Sequence, residues 1–118
     1  MKKQNINNST RKKGNQAENI AISYIESLGF KVIQRNYYAK KLGEIDIIAV
    51  NKNIWHFIEV KSAHKDFEPI YNLSPTKLRR VINSTHYYLK EKNLDVAFCI
   101  DLIIIRDNSV EFLENITI

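Results

Sequence analysis

The sequence predicts an α/β fold: a sandwich with a central mixed β-sheet and helices packed against it. Three observations carry that prediction. Two stretches repeat apolar residues at three- and four-residue steps, as amphipathic helices do. Five further runs are rich in β-branched and aromatic residues and bounded by turn residues, as strands are. One of these, Val96 to Ile105, is apolar almost throughout, the pattern of a strand buried on both faces. The order is helix, three strands, helix, two strands, and an antiparallel hairpin lies inside the sheet.

The first helix runs from Asn15 to Leu28, with Ala17, Ile20, Ala21, Tyr24, Ile25 and Leu28 on one stripe and Gly29 as its stop. Phe30 to Tyr38 reads as the first strand, and Ala39 to Leu42 as a basic link carrying Lys40 and Lys41 side by side. Two strands follow, Gly43 to Val50 and Ile54 to Lys61, joined across Asn51-Lys52-Asn53, a turn signal. Ser62 to Leu73 is polar, contains Pro69, and reads as a loop. Ser74 and Pro75 open the second helix as N-cap and first helical residue. Its buried stripe is Leu78, Val81, Ile82, Thr85 and Leu89, and Asn93 is its stop. Arg106 to Ser109 turns the chain into a last strand, Val110 to Leu113.

At 118 residues and 44% hydrophobic, the chain has material for one core, so we expect a single domain over 14–118. Met1 to Lys13 holds five basic residues and no acidic one, and the remainder balances, so this arm carries the whole formal net charge of +5. It lacks periodicity and reads as disordered. Such an arm, Lys12 and Lys13 included, either adds affinity for nucleic acid or serves as a solubilising tail. No apolar run is long enough to span a bilayer and none follows the basic start as in a signal peptide, so a cytoplasmic protein is expected. Cys99, the lone cysteine, reads as a small buried hydrophobe.

The hairpin carries the chemistry. With Lys52 and Asn53 as a two-residue loop, Asn51 pairs with Ile54, which puts Asp46 across from Glu59 and Glu44 across from Lys61. Two carboxylates then face each other with Cβ atoms about 5 Å apart, an arrangement that costs stability. A divalent cation between them would reverse that cost, because hard cations need converging oxygen ligands. The plainer alternative is a solvated charged face neutralised by Lys61. Ile48, Val50, Trp55 and Phe57 share that face in this register, so the carboxylates end an apolar stripe. Glu18 reads either as a first-turn acid on the helix dipole or as a carboxylate leaning toward the pair. Lys77, Arg79 and Arg80 oppose the dipole of the second helix, so they either hold phosphates or form a solvated basic face. His86 reads as a surface or boundary residue rather than a ligand, because no second histidine has helical spacing to it. Asp101, inside an apolar strand, needs a partner, for which an arginine or lysine is the expectation.

These residues resemble the PD-(D/E)xK nuclease superfamily, and more closely the YraN-like bacterial proteins related to Holliday junction resolvases. The resemblance covers residues 14 to about 113. It rests on Gly14, Ala17-Glu18 and Ala21; on Leu28-Gly29-Phe30; on Arg35-Asn36-Tyr37; on Gly43-Glu44-Ile45-Asp46-Ile47-Ile48-Ala49; and on Phe57-Ile58-Glu59-Val60-Lys61. The start of the Lys77 to Arg80 helix and the Phe98 to Ile103 run around Asp101 are also similar. One departure is Ala63, where the family commonly carries a basic residue; His64 and Lys65 stand next to it.

The resemblance implies a restriction-endonuclease-like α/β/α sandwich. It also implies a magnesium or manganese ion on Asp46 and Glu59, helped by the Val60 carbonyl, with Glu18 completing the acidic cluster and Lys61 orienting or activating water. The implied activity is metal-dependent cleavage of DNA, branched or otherwise structured, by a protein that acts as a homodimer if it cuts symmetric junctions. Lys40, Lys41, Lys77, Arg79, Arg80, Lys12 and Lys13 are the expected nucleic-acid contacts. The competing expectation is a catalytically silent nucleic-acid-binding module on the same fold. A protein-interaction domain is a third reading, against which the basic arm and helix start argue.

Overall fold

A computed structural model describes residues 16–63, 73–107 and 109–117. The arm 1–13, with Lys12 and Lys13, lies outside them, as do His64, Lys65 and most of the expected 62–73 loop. Helix α1 covers residues 16–27. Strands β1 (Lys31–Tyr38), β2 (Glu44–Asn51) and β3 (Ile54–Ser62) follow, then helix α2 (Pro75–Glu91) and strands β4 (Phe98–Arg106) and β5 (Ser109–Leu113). The basic link Lys40–Leu42 is a single 3-10 turn. The five strands form one sheet in chain order, antiparallel except for the parallel β3–β4 pair, so the sheet is mixed.

The helices cover opposite faces. Ala17, Ala21 and Ile25 of α1 pack with Phe30, Ile47, Ala49, Ile58, Ile103 and Ile105. Val81, Tyr88 and Leu89 of α2 pack with Tyr37, Ile45, Ile48, Phe57 and Ile100. Neighbouring residues such as Ile47 and Ile48, or Phe57 and Ile58, thus serve different cores, as the two-residue period of a strand requires.

The element ends have local causes. Gly29 takes a φ of 97° and donates its N–H to Glu26, while Phe30 N–H reaches the Ile25 carbonyl, a close that satisfies the last carbonyls of α1. Lys52 and Asn53 both adopt positive φ, 51° and 66°, as a two-residue hairpin turn demands. Asn51 therefore pairs with Ile54 as the sequence predicts, and the register holds through Ile47 and Ile58. Ser74 caps α2, its hydroxyl accepting the Lys77 N–H at 3.1 Å. That helix ends at Glu91, two residues before the expected stop, and Asn93 supplies the left-handed residue just past its cap at φ 54°. Its buried stripe also takes in Ser84 and Tyr88, while Leu78 and Ile82 are only half-buried. The buried strand β4 begins at Phe98 rather than Val96. Among the described residues, no helix is long and apolar enough to cross a membrane.

Candidate functional site

The site forms where β2 and β3 part. Their backbone ladder stops at Ile47–Ile58, so Asp46 and Glu59 do not meet as a regular cross-strand pair, and Glu44 does not pair with Lys61. Instead the Asp46 side chain reaches β3: its Oδ2 accepts the Val60 N–H at 2.8 Å. This departs from the sequence expectation for a physical reason, since a carboxylate that takes a backbone donor displaces the ladder bond it would otherwise leave room for. The carboxyls still converge, close enough for Asp46 to share a hydrogen bond with Glu59.

Glu44, Asp46 and Glu59 line a recess of about 250 Å³ together with Lys77, Arg80 and Val81 of α2. Larger pockets lie elsewhere, one by Gln16, Ser62 and Arg106 and another by Leu73, Leu102 and Phe112, but neither gathers carboxylates. Glu59 is buried, and Lys77 Nζ lies 2.9 Å from its Oε2. That contact raises the Lys77 pKa, against the opposing effect of burial.

The acidic groups repel one another in a poorly hydrated place. Burial above all, then the charge of Glu59, pushes Asp46 up to about 8, although the Val60 N–H pulls the other way. Glu44 is also raised, by burial first and then by Glu18 and Glu59. Glu18 contributes charge to both residues and makes a long contact of 3.4 Å to Arg35 of β1. Glu18 stands in the first turn of α1, so it faces the helix dipole while its charge also reaches the carboxylate pair.

Lys61 follows Glu59 by two residues on β3 and so shares its face of the strand, half-buried. Arg80 lines the recess beside Gly43, where a Cβ would stand 3.3 Å from Arg80 Cβ. Arg79 is exposed on α2, and Lys40 and Lys41 are exposed on the 3-10 turn. Glu44 is the recess residue that sequence reasoning leaves outside the site. Its signal is the alternation Glu44-x-Asp46 directly after a glycine.

The sequence also understates a second cluster. Asp101 is fully buried, but its partner is neither arginine nor lysine. His56 Nδ1 lies 2.6 Å from its Oδ2, Cys99 Sγ lies 3.3 Å from its Oδ1, and the Asn115 N–H donates to Oδ1 at 2.8 Å. Register is the reason: parallel pairing sets His56 opposite Cys99, two residues before Asp101 on the same face. Cys99 is thus half-buried and hydrogen-bonded rather than a plain hydrophobe. His86 is exposed, as expected.

Comparison with known proteins agrees with the family resemblance. The sequence profile described as Uncharacterised protein family UPF0102 matches residues 17–105. A UPF0102 protein of a Sulfurovum species is 56% identical over 105 residues, covering 89% of this chain and 93% of that protein. One from Wolinella succinogenes is 51% identical over 109 residues, 92% of this chain and 99% of its own length. One from Helicobacter pylori is 46% identical over 112 residues, 95% and 96% of the two chains.

Proposed function

The chain belongs to the UPF0102 family, the YraN-like group that its motifs resemble, and we propose that it is a metal-dependent endonuclease acting on DNA, branched or otherwise structured. The observation that supports this reading is the convergence of Asp46 and Glu59, with Glu44 and Glu18 close by, in a recess walled by Lys77 and Arg80. A structural role alone would not place the charges of Glu59 and Glu18 where they raise the pKa of Asp46 and Glu44. The donor set suits a hard divalent cation: carboxylate oxygens and no nitrogen or sulfur ligand. Asp46 and Glu59 would hold magnesium or manganese, with Glu18 at the margin. When bound, the ion supplies Lewis acidity toward a phosphate and toward water.

The chain's own groups supply the rest. The Val60 N–H fixes the Asp46 carboxylate, so one oxygen is oriented before any ligand arrives. Lys61, next along β3, would orient the attacking water and offset charge that develops on the phosphate. Arg80 at the recess wall would bind a neighbouring phosphate, its planar fork suited to two oxygens. Arg79, Lys40 and Lys41, all exposed, would extend the phosphate-binding surface, joined by the arm with Lys12 and Lys13.

One observation favours the alternative, a binding module that does not cut: the Lys77 ammonium already sits on Glu59. A cleavage assay separates the two. Linear, flapped and four-way DNAs with magnesium or manganese should be cut under the enzyme reading and left intact under the binding reading.

A further inference from the structure

The cluster of His56, Cys99 and Asp101 lies outside the acidic recess. Asp46 and Glu59 open toward α2, whereas His56 packs beneath Phe30 on the α1 side, ring centres 4.7 Å apart. Its three ligating atoms all lie within 4.8 Å of one another. Sγ is 3.2 Å and the carboxylate 2.6 Å from the same ring nitrogen, Nδ1.

That last feature decides what the cluster can do. A nucleophilic triad is linear: the acid sits on one imidazole nitrogen and the nucleophile on the other. Here thiol and acid meet one nitrogen. Burial, followed by Asp101, also pushes the thiol up to about 12, so it is not poised to attack. Donors that converge on one point rather than lying in a row are what a metal ion requires. We propose that His56 Nδ1, Cys99 Sγ and an Asp101 carboxylate oxygen form a binding site for a borderline-soft divalent cation of the zinc type.

The donor chemistry selects this class. Imidazole and thiolate favour zinc and its neighbours over magnesium. The Asn115 N–H on Asp101 Oδ1 is the outer hydrogen bond that holds a ligating carboxylate in place. On binding, the Cys99 thiol releases its proton to solvent, and a neutral His56 carries its proton on Nε2, so that the Nδ1 lone pair faces the ion. One thiolate and one carboxylate then offset the cation's charge, leaving no net charge buried. The donors must spread by roughly half an ångström to accept bonds of about 2.0–2.3 Å. Cys99 is only half-buried and can give that room. Three protein donors leave one position of a tetrahedral ion for water or for Glu114, whose charge reaches Cys99.

Cobalt(II) is the probe, because a cobalt–thiolate bond has a charge-transfer absorption that carboxylate and imidazole ligands lack. The full chain, kept reduced, is titrated with cobalt in the presence of excess magnesium. One equivalent should develop the thiolate band, and zinc should bleach it. Cys99→Ser should abolish the band while the circular dichroism stays native, and His56→Gln should weaken binding at least about tenfold. Asp46→Ala, in the other site, should leave the band unchanged. Lack of a thiolate band in the folded wild type, or a band that survives Cys99→Ser, overturns the proposal and leaves the cluster a hydrogen-bonded anchor for the segment at Asn115.

Discussion

Lys77 Nζ lies 2.9 Å from Glu59 Oε2, so a cation from the first turns of α2 rests on a carboxylate that the proposed chemistry assigns to a metal. The lysine side chain is 57% exposed and the glutamate 7%, so the pair straddles the boundary of the recess. A divalent ion on Glu59 has to compete with this ammonium. Lys77→Met should therefore raise manganese affinity, by up to roughly tenfold if about 1.4 kcal/mol of competition is relieved. Without metal the same variant should lose about 1 kcal/mol of stability, since Glu59 is left buried and unpaired while the lysine was partly solvated. Calorimetry and denaturant unfolding measure both effects; unchanged manganese affinity would mean that Lys77 does not occupy the ion's place.

The pH dependence of stability follows from Asp46. Its carboxyl moves from an ordinary 3.8 to about 8, chiefly through burial. Between those values the folded protein keeps a proton that the unfolded chain has released, so stability falls as pH rises. The contribution is fully present below the unfolded value and is lost as pH climbs through the folded one. In chelator-treated buffer, Asp46→Asn should remove this decline, because the amide oxygen can still accept the Val60 N–H and carries no charge. Magnesium should flatten the wild-type curve from the alkaline side. Identical pH slopes for wild type and Asp46→Asn would contradict the shift.

Gly43 ties the recess to α2. Its φ is 146°, and an added Cβ would stand 3.0 Å from Ser84 Oγ and 3.3 Å from Arg80 Cβ. Gly43→Ala should cost about 1–3 kcal/mol, measured by denaturant unfolding, and should weaken DNA binding by shifting Arg80. Wild-type stability in that variant would show that α2 yields freely at this position.

The basic groups should appear in the salt dependence of DNA binding. Arg80→Ala should lower the slope by about 0.9 if it neutralises one duplex phosphate, and deletion of residues 1–13 should lower it further by about 0.9 for each phosphate that the arm neutralises. Fluorescence anisotropy across a salt series measures this. An unchanged slope after the deletion would make the arm a solubilising tail.

What the sequence revealed depended on how local the determinant was. The Asn51-Lys52-Asn53 break specified the hairpin register because two adjacent residues accept positive φ, and Ser74-Pro75 marked the start of α2 for an equally local reason. The parting of β2 and β3 was not legible, since it depends on the Asp46 side chain taking a backbone donor from the neighbouring strand. Lys77 on Glu59 and His56 on Asp101 were hidden for a different reason. Both depend on how the chain returns after β3, through α2 and into parallel pairing with β4, and no spacing in the sequence encodes that return. Ser84 and Tyr88 stand three and seven residues after Val81 on the same helical stripe, but their hydroxyls make them weaker signals of burial than the aliphatic residues beside them.

Cleavage by the wild type beside Glu59→Gln and Lys61→Ala, over linear, flapped and four-way DNAs with magnesium or manganese, tests the nuclease assignment most directly. The wild type should cut, with a preference among the shapes, and both variants should lose cleavage by at least about a hundredfold while remaining folded. Glu59→Gln should keep or improve DNA binding without metal, because a charge facing phosphate is gone. Lys61→Ala should lose little binding and much rate, as befits a group that acts in the transition state. A wild type that cuts no DNA with either metal, or cleavage that survives both substitutions, would contradict the assignment of this recess as a nuclease active site.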